Sequence, residues 1–339
     1  MKKAICLILS VAMTGCLLAG CGSGAAGGQA SSGKASAASG NTVSRQLMSV
    51  SIGCGTSTGV GYITASTVGS LLSSKYPTYQ CKPEVTTGGA ENIRLLLNGD
   101  VQLCSAMLDV AANAYEGTRE WDATSKGKLR YITSGNMTTL TQFARKDSKA
   151  KELPDLKGKN IGVASGTTAQ FYWKYLLDAY GLTDKDFKSV KVLGIKDILT
   201  AMQDGSIDYG VHTTSVPNSS IQDTAMTVGL NVLTMSDEVC DKMIKENPSF
   251  EKTKITKETY TSDFDAQTVG VRNVYVCLSD TDDQLVYDWT KTIDENQKAL
   301  AQAHPEAGEY GNHENMLKCQ KFPFHPAAER YYKEIGLLK

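Results

Sequence analysis

The sequence predicts an α/β fold of two similarly built lobes with a ligand cleft between them. Three observations predict it. A strand, a short turn of Gly, Ser and Thr, and a helix follow one another from Met48 to Leu72, and the same order returns from Asn160 to Tyr180. In each half a later helix stops at a glycine and a strand restarts, so that Gly53 to Gly99 spans 46 residues and Gly162 to Gly205 spans 43. Both polar turns sit where a strand ends and a helix begins, the place where open α/β sheets bind ligands, because unpaired N–H groups and the helix dipole attract an anion. The alternative is one larger doubly wound sheet in which the similarity of the halves is coincidental.

The chain opens with an address. Lys2 and Lys3 precede an uncharged apolar run from Ala4 to Leu18, too short for a comfortable membrane span and fitted to an export signal over residues 1–20. Leu18-Ala19-Gly20-Cys21 has the form of a bacterial lipobox, and Met13-Thr14-Gly15-Cys16 is a weaker second match. Cys21 is therefore the expected lipidation site, carrying a diacylglycerol and an N-terminal acyl chain such as palmitate, enough for stable anchoring. Gly22 to Arg45 is mostly Gly, Ala and Ser and reads as a flexible linker (residues 21–45 with the lipidated Cys). The expected location is the extracytoplasmic face of the cell membrane, with the membrane touched through the lipid alone.

Composition narrows the function. The 339 residues are 41% hydrophobic, with 35 Lys+Arg against 36 Asp+Glu, so whole-chain disorder is excluded and no strong field draws nucleic acid. Cleavage after residue 20 removes only Lys2 and Lys3, leaving 33 basic and 36 acidic residues, net -3. An exported body of this kind is remote from most cofactor chemistry, and no cofactor is expected.

From Met48 to Ile52 apolar and polar residues alternate as in a strand. Gly53 to Gly59 is the first turn, and Val60 to Leu72 the first helix. Glu91 to Leu97 is helical and ends at Asn98-Gly99, and Val101 to Ala106 is a strand. In the second half Asn160–Ala164 is a strand, Ser165-Gly166-Thr167-Thr168 the turn, Ala169–Tyr180 a helix, Ile198–Met202 a helix ending at Asp204-Gly205, and Ile207–Val211 a strand. Crossings between lobes are expected near Thr139–Phe143 and Gln267–Val276. Lobe 1 then comprises residues 46–141 and 268–339, and lobe 2 residues 142–267.

Thr56, Ser57, Thr58, Thr167 and Thr168, with Ser165 and Gly166, are placed to offer hydroxyl and backbone hydrogen bonds to an anion, or simply to cap their helices. Asp109 either caps a helix or accepts a ligand ammonium. Tyr62 either closes over the ligand or packs in the lobe, and Asn92 either reaches the cleft or faces solvent. The spacing Gly53-x-Gly55-x-x-x-Gly59 after a strand has the look of a dinucleotide fingerprint, but the next strand candidate runs into Thr86-Thr87 where such a site places its ribose-binding acid. His212, His304, His313 and His325 show no metal spacing, and neither a metal site nor an enzyme is expected. His212 alone falls near a candidate cleft strand. Six cysteines follow Cys21 without diagnostic spacing, and at most one disulfide is expected.

Several segments carry a family resemblance: Ser51 to Tyr62; Thr86-Thr87-Gly88-Gly89 with Glu91 to Leu96; Asp109-Val110-Ala111 with Ala114 to Gly117; Leu156-Lys157-Gly158-Lys159; and Ala303-His304-Pro305 with Phe324 to Gly336. In this order, behind a lipobox, they resemble the TAXI family of solute receptors that serve tripartite ATP-independent (TRAP) transporters. The resemblance implies a periplasmic-binding-protein-like fold, a TRAP-type membrane permease as partner, and a small anionic ligand: glutamate, glutamine or a related dicarboxylate. It adds Thr87, Thr214 and Pro217 to the candidate ligand contacts. Gly61, where the family has Tyr, is expected to leave room for a bulkier ligand, and Val211 to Pro217 also departs from the family pattern. The same fold would serve a sensory receptor that presents its ligand to a membrane signalling partner.

Overall fold

The computed structural model describes residues 47–339. The signal, Cys21 and the linker lie outside the described residues. Ten strands are present among the described residues: β1 (Met48–Gly55), β2 (Tyr79–Val85), β3 (Leu103–Met107), β4 (Leu129–Arg145), β5 (Asn160–Ala164), β6 (Ser189–Leu193), β7 (Tyr209–Thr214), β8 (Leu230–Val232), β9 (Phe250–Ile255) and β10 (Ala266–Leu278). The helices are α1 (Val60–Lys75), α2 (Gly89–Asn98), α3 (Leu108–Glu116), α4 (Thr167–Tyr180), α5 (Ile195–Gln203), α6 (Ser219–Val228), α7 (Asp237–Glu246), α8 (Asp283–Glu295), α9 (Gln297–Ala303), α10 (His313–Met316) and α11 (Pro326–Glu334).

The strands form one continuous sheet in the order β2-β1-β3-β10-β4-β7-β5-β6, with β8 beside β4 and β9 beside β10. The repeated plan is visible in it. β1 lies between β2 and β3, all parallel, and β5 lies between β6 and β7, again all parallel. The observed sheet thus joins the two sequence readings, since the halves repeat and yet share hydrogen-bonded strands.

That sharing falls to two long antiparallel strands. β4 pairs with β10 from Leu129 to Thr139 and with β7 from Thr139 to Ala144. β10 pairs with β9 from Ala266 to Val271 and with β3 from Asn273 to Val276. Each strand therefore changes partners near its middle, around Thr139 and Gly270. Arg272 braces the change-over: its guanidinium meets Glu251 at 2.8 Å, the Gly135 carbonyl at 3.0 Å and Asn315 Oδ1 at 3.0 Å.

After β10 the chain returns to the first half. Trp289 of α8 packs edge-on against Tyr275, Tyr79 OH donates to Asp288 at 2.9 Å, and Tyr332 OH donates to the Ile132 carbonyl at 2.8 Å. The two His-Pro pairs start helical segments: His304 accepts from the Glu306 N–H and His325 from the Ala327 N–H. Proline at the first helical position costs no hydrogen bond there, and the imidazole supplies an acceptor in its place.

Apolar residues of the central strands, among them Ile52, Leu103, Val274 and Val276 in the first half and Ile161 and Val163 in the second, are wholly buried. A further cluster around Phe143, Ile198, Met202, Leu230 and Val232 fills the second half. The six cysteines among the described residues are unbridged, and four of them (Cys54, Cys104, Cys240 and Cys277) are buried. Among the described residues no helix is long and apolar enough to cross a membrane.

Candidate ligand-binding site

The predicted turns meet in one place. Thr56 from the first and Ser165, Gly166 and Thr168 from the second line a single cavity of about 530 Å³. Helix ends form much of its wall. α1, α2 and α4 begin behind Gly59, Gly88 and Gly166, and none of these ends carries a side-chain cap. α6, α7 and α8, by contrast, are capped by Asn218, Ser236 and Asp282. The uncapped ends leave first-turn N–H groups and the positive ends of helix dipoles at the cavity.

The candidate residues divide. Thr56, Thr87, Asn92, Ser165, Gly166 and Thr168 line the cavity. Two of these already have partners. Thr87 donates both its N–H and its hydroxyl to Glu91 Oε2 at 2.6 Å, which holds the Glu91 carboxyl below its usual range. Asn92 is buried, donating to the Ser105 carbonyl at 2.8 Å and accepting from the Thr86 hydroxyl.

The other candidates lie elsewhere. Ser57 and Thr58 are exposed and outside the cavity wall, and Tyr62 is half-buried against the core of the first half. Thr167 is the first residue of α4. Thr214 accepts from Asn218 Nδ2 at 3.0 Å, and Pro217 follows it in the β7–α6 loop; neither lines the cavity. Asp109 lies in the first turn of α3, whose cap position is Met107. Its Oδ2 accepts from Tyr172 OH at 2.7 Å and Asn247 Nδ2 at 3.1 Å, and it faces an adjoining space of about 230 Å³. Burial pushes its pKa up. The hydroxyl-capping reading of the turns also gives way, because the cap positions belong to glycine.

Gly61 does line the cavity, but it does not open it. A Cβ there would stand 2.6 Å from Ser105 Oγ and 2.8 Å from the Cys54 carbonyl. The glycine lets α1 approach β1 and β3, and no side-chain volume is released to a ligand.

Several wall residues went unread in the sequence: Arg94, Ser105, Asn136, Thr138, Asn273 and Tyr310. A signal existed. Thr133 to Thr139 (TSGNMTT) is a polar run inside a strand whose other residues are mostly buried, and Arg272-Asn273 interrupts an apolar strand in the same way. Tyr310 reaches the wall because Gly135 has no side chain: a Cβ there would lie 2.3 Å from the tyrosine ring.

Three polar atoms of this wall are buried without a partner: Asn136 Oδ1, His212 Nδ1 and Tyr310 OH. Each such group costs roughly 1–3 kcal/mol when left unpaired, so their collection at one cavity marks a place prepared for a polar solute. Burial lowers the His212 pKa to about 4, so its ring is neutral at physiological pH. Arg94 is then the cationic side chain of the wall, its guanidinium 5.2 Å from the centre of the Trp121 ring. Among the described residues no group of His, Cys, Asp and Glu is arranged to hold a metal ion.

Two α/β halves, joined by a pair of exchanged strands and enclosing one polar cavity, define the two-lobed fold of periplasmic binding proteins. The chain belongs to the NMT1-like family, whose sequence profile matches residues 52–336. Among solved structures it is similar to XAC2383 from Xanthomonas citri bound to ATP, at 12% identity and a TM-score of 0.50, covering 85% of this chain and 95% of that one. It is also similar to the periplasmic aliphatic sulphonate binding protein SsuA from Escherichia coli, at 15% identity and a TM-score of 0.48, with 84% and 78% covered. A third is the probable amino-acid ABC transporter extracellular-binding protein ytmK from Bacillus subtilis, at 12% identity and a TM-score of 0.47, with 79% and 99% covered. The likeness to XAC2383, at 12% identity, is one of fold.

Proposed function

We propose that this chain is an extracytoplasmic solute-binding lipoprotein, anchored through Cys21, that captures a small anionic solute and delivers it to a TRAP-type permease. One observation carries the reading: turns from both halves of the sheet line the same polar cavity. Lobe 1 (residues 46–141 and 268–339) and lobe 2 (142–267) would move against each other about β4 and β10, where both strands change partners. A ligand held from both sides binds the closed form better than the open one, and that difference in affinity shifts the population. The uncapped starts of α1, α2 and α4 and the Arg94 guanidinium favour an anion. The resemblance to the TAXI receptors supports glutamate, glutamine or a related dicarboxylate.

Thermal denaturation of the full chain against amino acids and dicarboxylates tests the reading. A ligand at about 100 times its Kd adds roughly 2.7 kcal/mol of stability. Absence of a shift with every compound, together with absence of a co-purifying small molecule by mass spectrometry, overturns it. Uptake in vesicles carrying the cognate permease tests the partner: transport that needs an ion gradient and continues without ATP supports a TRAP-type system, and ATP-dependent transport removes it.

A further inference from the structure

One buried acceptor of the wall, Asn136 Oδ1, has its orientation fixed by its neighbours. Asn136 is 4% exposed, and its Nδ2 lies 3.2 Å from Glu306 Oε2 and 3.4 Å from Ser215 Oγ. The amide nitrogen thus faces Glu306 and Ser215, and the Oδ1 is left without a donor. The β4–β10 register sets Asn273 beside Asn136. Its Nδ2 is likewise engaged, by Thr138 Oγ1 at 2.9 Å and the Asn136 carbonyl at 3.4 Å. What Asn273 has left for the cavity is again an amide oxygen. Tyr310 OH, wholly buried and unpartnered, completes the group. Burial pushes the Glu306 pKa up, against the opposing pull of Ser215, His304 and Asn136. Asp109, read from the sequence as either a helix cap or an ammonium acceptor, is occupied by Tyr172 and Asn247.

We propose that Asn136, Asn273 and Tyr310 form a subsite for a primary amine of the ligand, with Glu306 behind Asn136 supplying the opposing charge. The inference rests on the solute-binding reading and narrows it: the solute is a zwitterionic amino acid, its carboxylate toward the helix starts and its ammonium toward the strands, and a plain dicarboxylate is excluded. An ammonium has three N–H donors, and the wall offers it two amide oxygens and a phenol oxygen.

The test is calorimetric titration of the full chain with the standard amino acids, each compared with the same acid lacking its α-amino group; for glutamate the comparison is glutarate. The amino acid that binds is expected to do so at least about tenfold more tightly than its deamino counterpart. Glu306→Gln and Asn136→Ala are each expected to weaken the amino acid by about tenfold or more and to leave the deamino acid within about twofold. Asn273→Asp, nearly isosteric, is expected to tighten amine binding, and it serves where Asn136→Ala fails to fold. Equal binding of the two acids, equal loss of both in Glu306→Gln, or binding of dicarboxylates alone overturns the amine subsite while leaving a solute receptor in place. If neither class binds and nothing co-purifies, the receptor reading falls and takes the subsite with it.

Discussion

A histidine ring buried beside a polar cavity titrates against its surroundings. Burial holds the His212 pKa near 4, against an ordinary value of 6.5. Between those values the unfolded chain takes up a proton that the folded chain refuses, so the folded state loses stability as pH falls. The stability is fully present above pH 6.5 and is lost on descending toward pH 4. At about 1.4 kcal/mol per tenfold change in proton affinity, the loss from this residue reaches roughly 3 kcal/mol. His212→Gln, which keeps a polar side chain and loses the titration, is expected to flatten this part of the profile. Urea unfolding of both proteins at pH 7 and pH 4.5 checks it, and a variant that loses as much stability on acidification as the parent rules the assignment out.

At the scale of elements, α3 of the first half touches α4 and α7 of the second through one buried carboxylate. Tyr172 OH and Asn247 Nδ2 both donate to Asp109 Oδ2, and the Val110 N–H donates to Oδ1 at 2.8 Å. Asp109→Ala leaves two buried donors unpaired, each costing roughly 1–3 kcal/mol. Tyr172→Phe is expected to cost about 1–3 kcal/mol in the parent and close to nothing when Asp109 is already alanine. A double-mutant cycle read from unfolding midpoints checks the coupling, and additive losses would mean that the two side chains act independently. The same helices show what sequence can and cannot reveal. Helix stops were legible, because Gly99 takes the left-handed conformation (φ 82°) that other residues resist. Helix starts were legible in position and misread in chemistry: hydroxyls near Thr56 and Thr168 look like caps, whereas the cap positions are Gly59 and Gly166. The role of Asp109 was hidden because its partners are 63 and 138 residues away in the chain. Tyr310 was hidden for a similar reason, its place depending on a gap above Gly135 that no local pattern displays.

At the scale of the molecule, the repeat of strand, turn and helix was readable because each unit is local, while the order of the sheet was not, because β10 enters between β3 and β4 from far along the chain. That insertion has a thermodynamic consequence. The first half is completed by residues after β10, so it is discontinuous in sequence, and neither half owns β4 or β10 outright. Unfolding one half strips hydrogen-bonded neighbours from strands that the other half needs, exposing apolar residues such as Val271 and Val274 that are wholly buried. The halves are therefore expected to unfold in a single transition, and the lobe motion proposed above is compatible with this, since hinge motion keeps the ladder and unfolding does not. Tryptophan reports on each half separately: Trp289 lies on α8 against the first, and Trp173 on α4 in the second. In a Trp121→Phe/Trp173→Phe variant and in a Trp121→Phe/Trp289→Phe variant, the fluorescence and far-ultraviolet circular dichroism curves in urea are expected to coincide within each protein. A fluorescence midpoint that separates from the dichroism midpoint in either one would show that the shared strands fail to couple the halves.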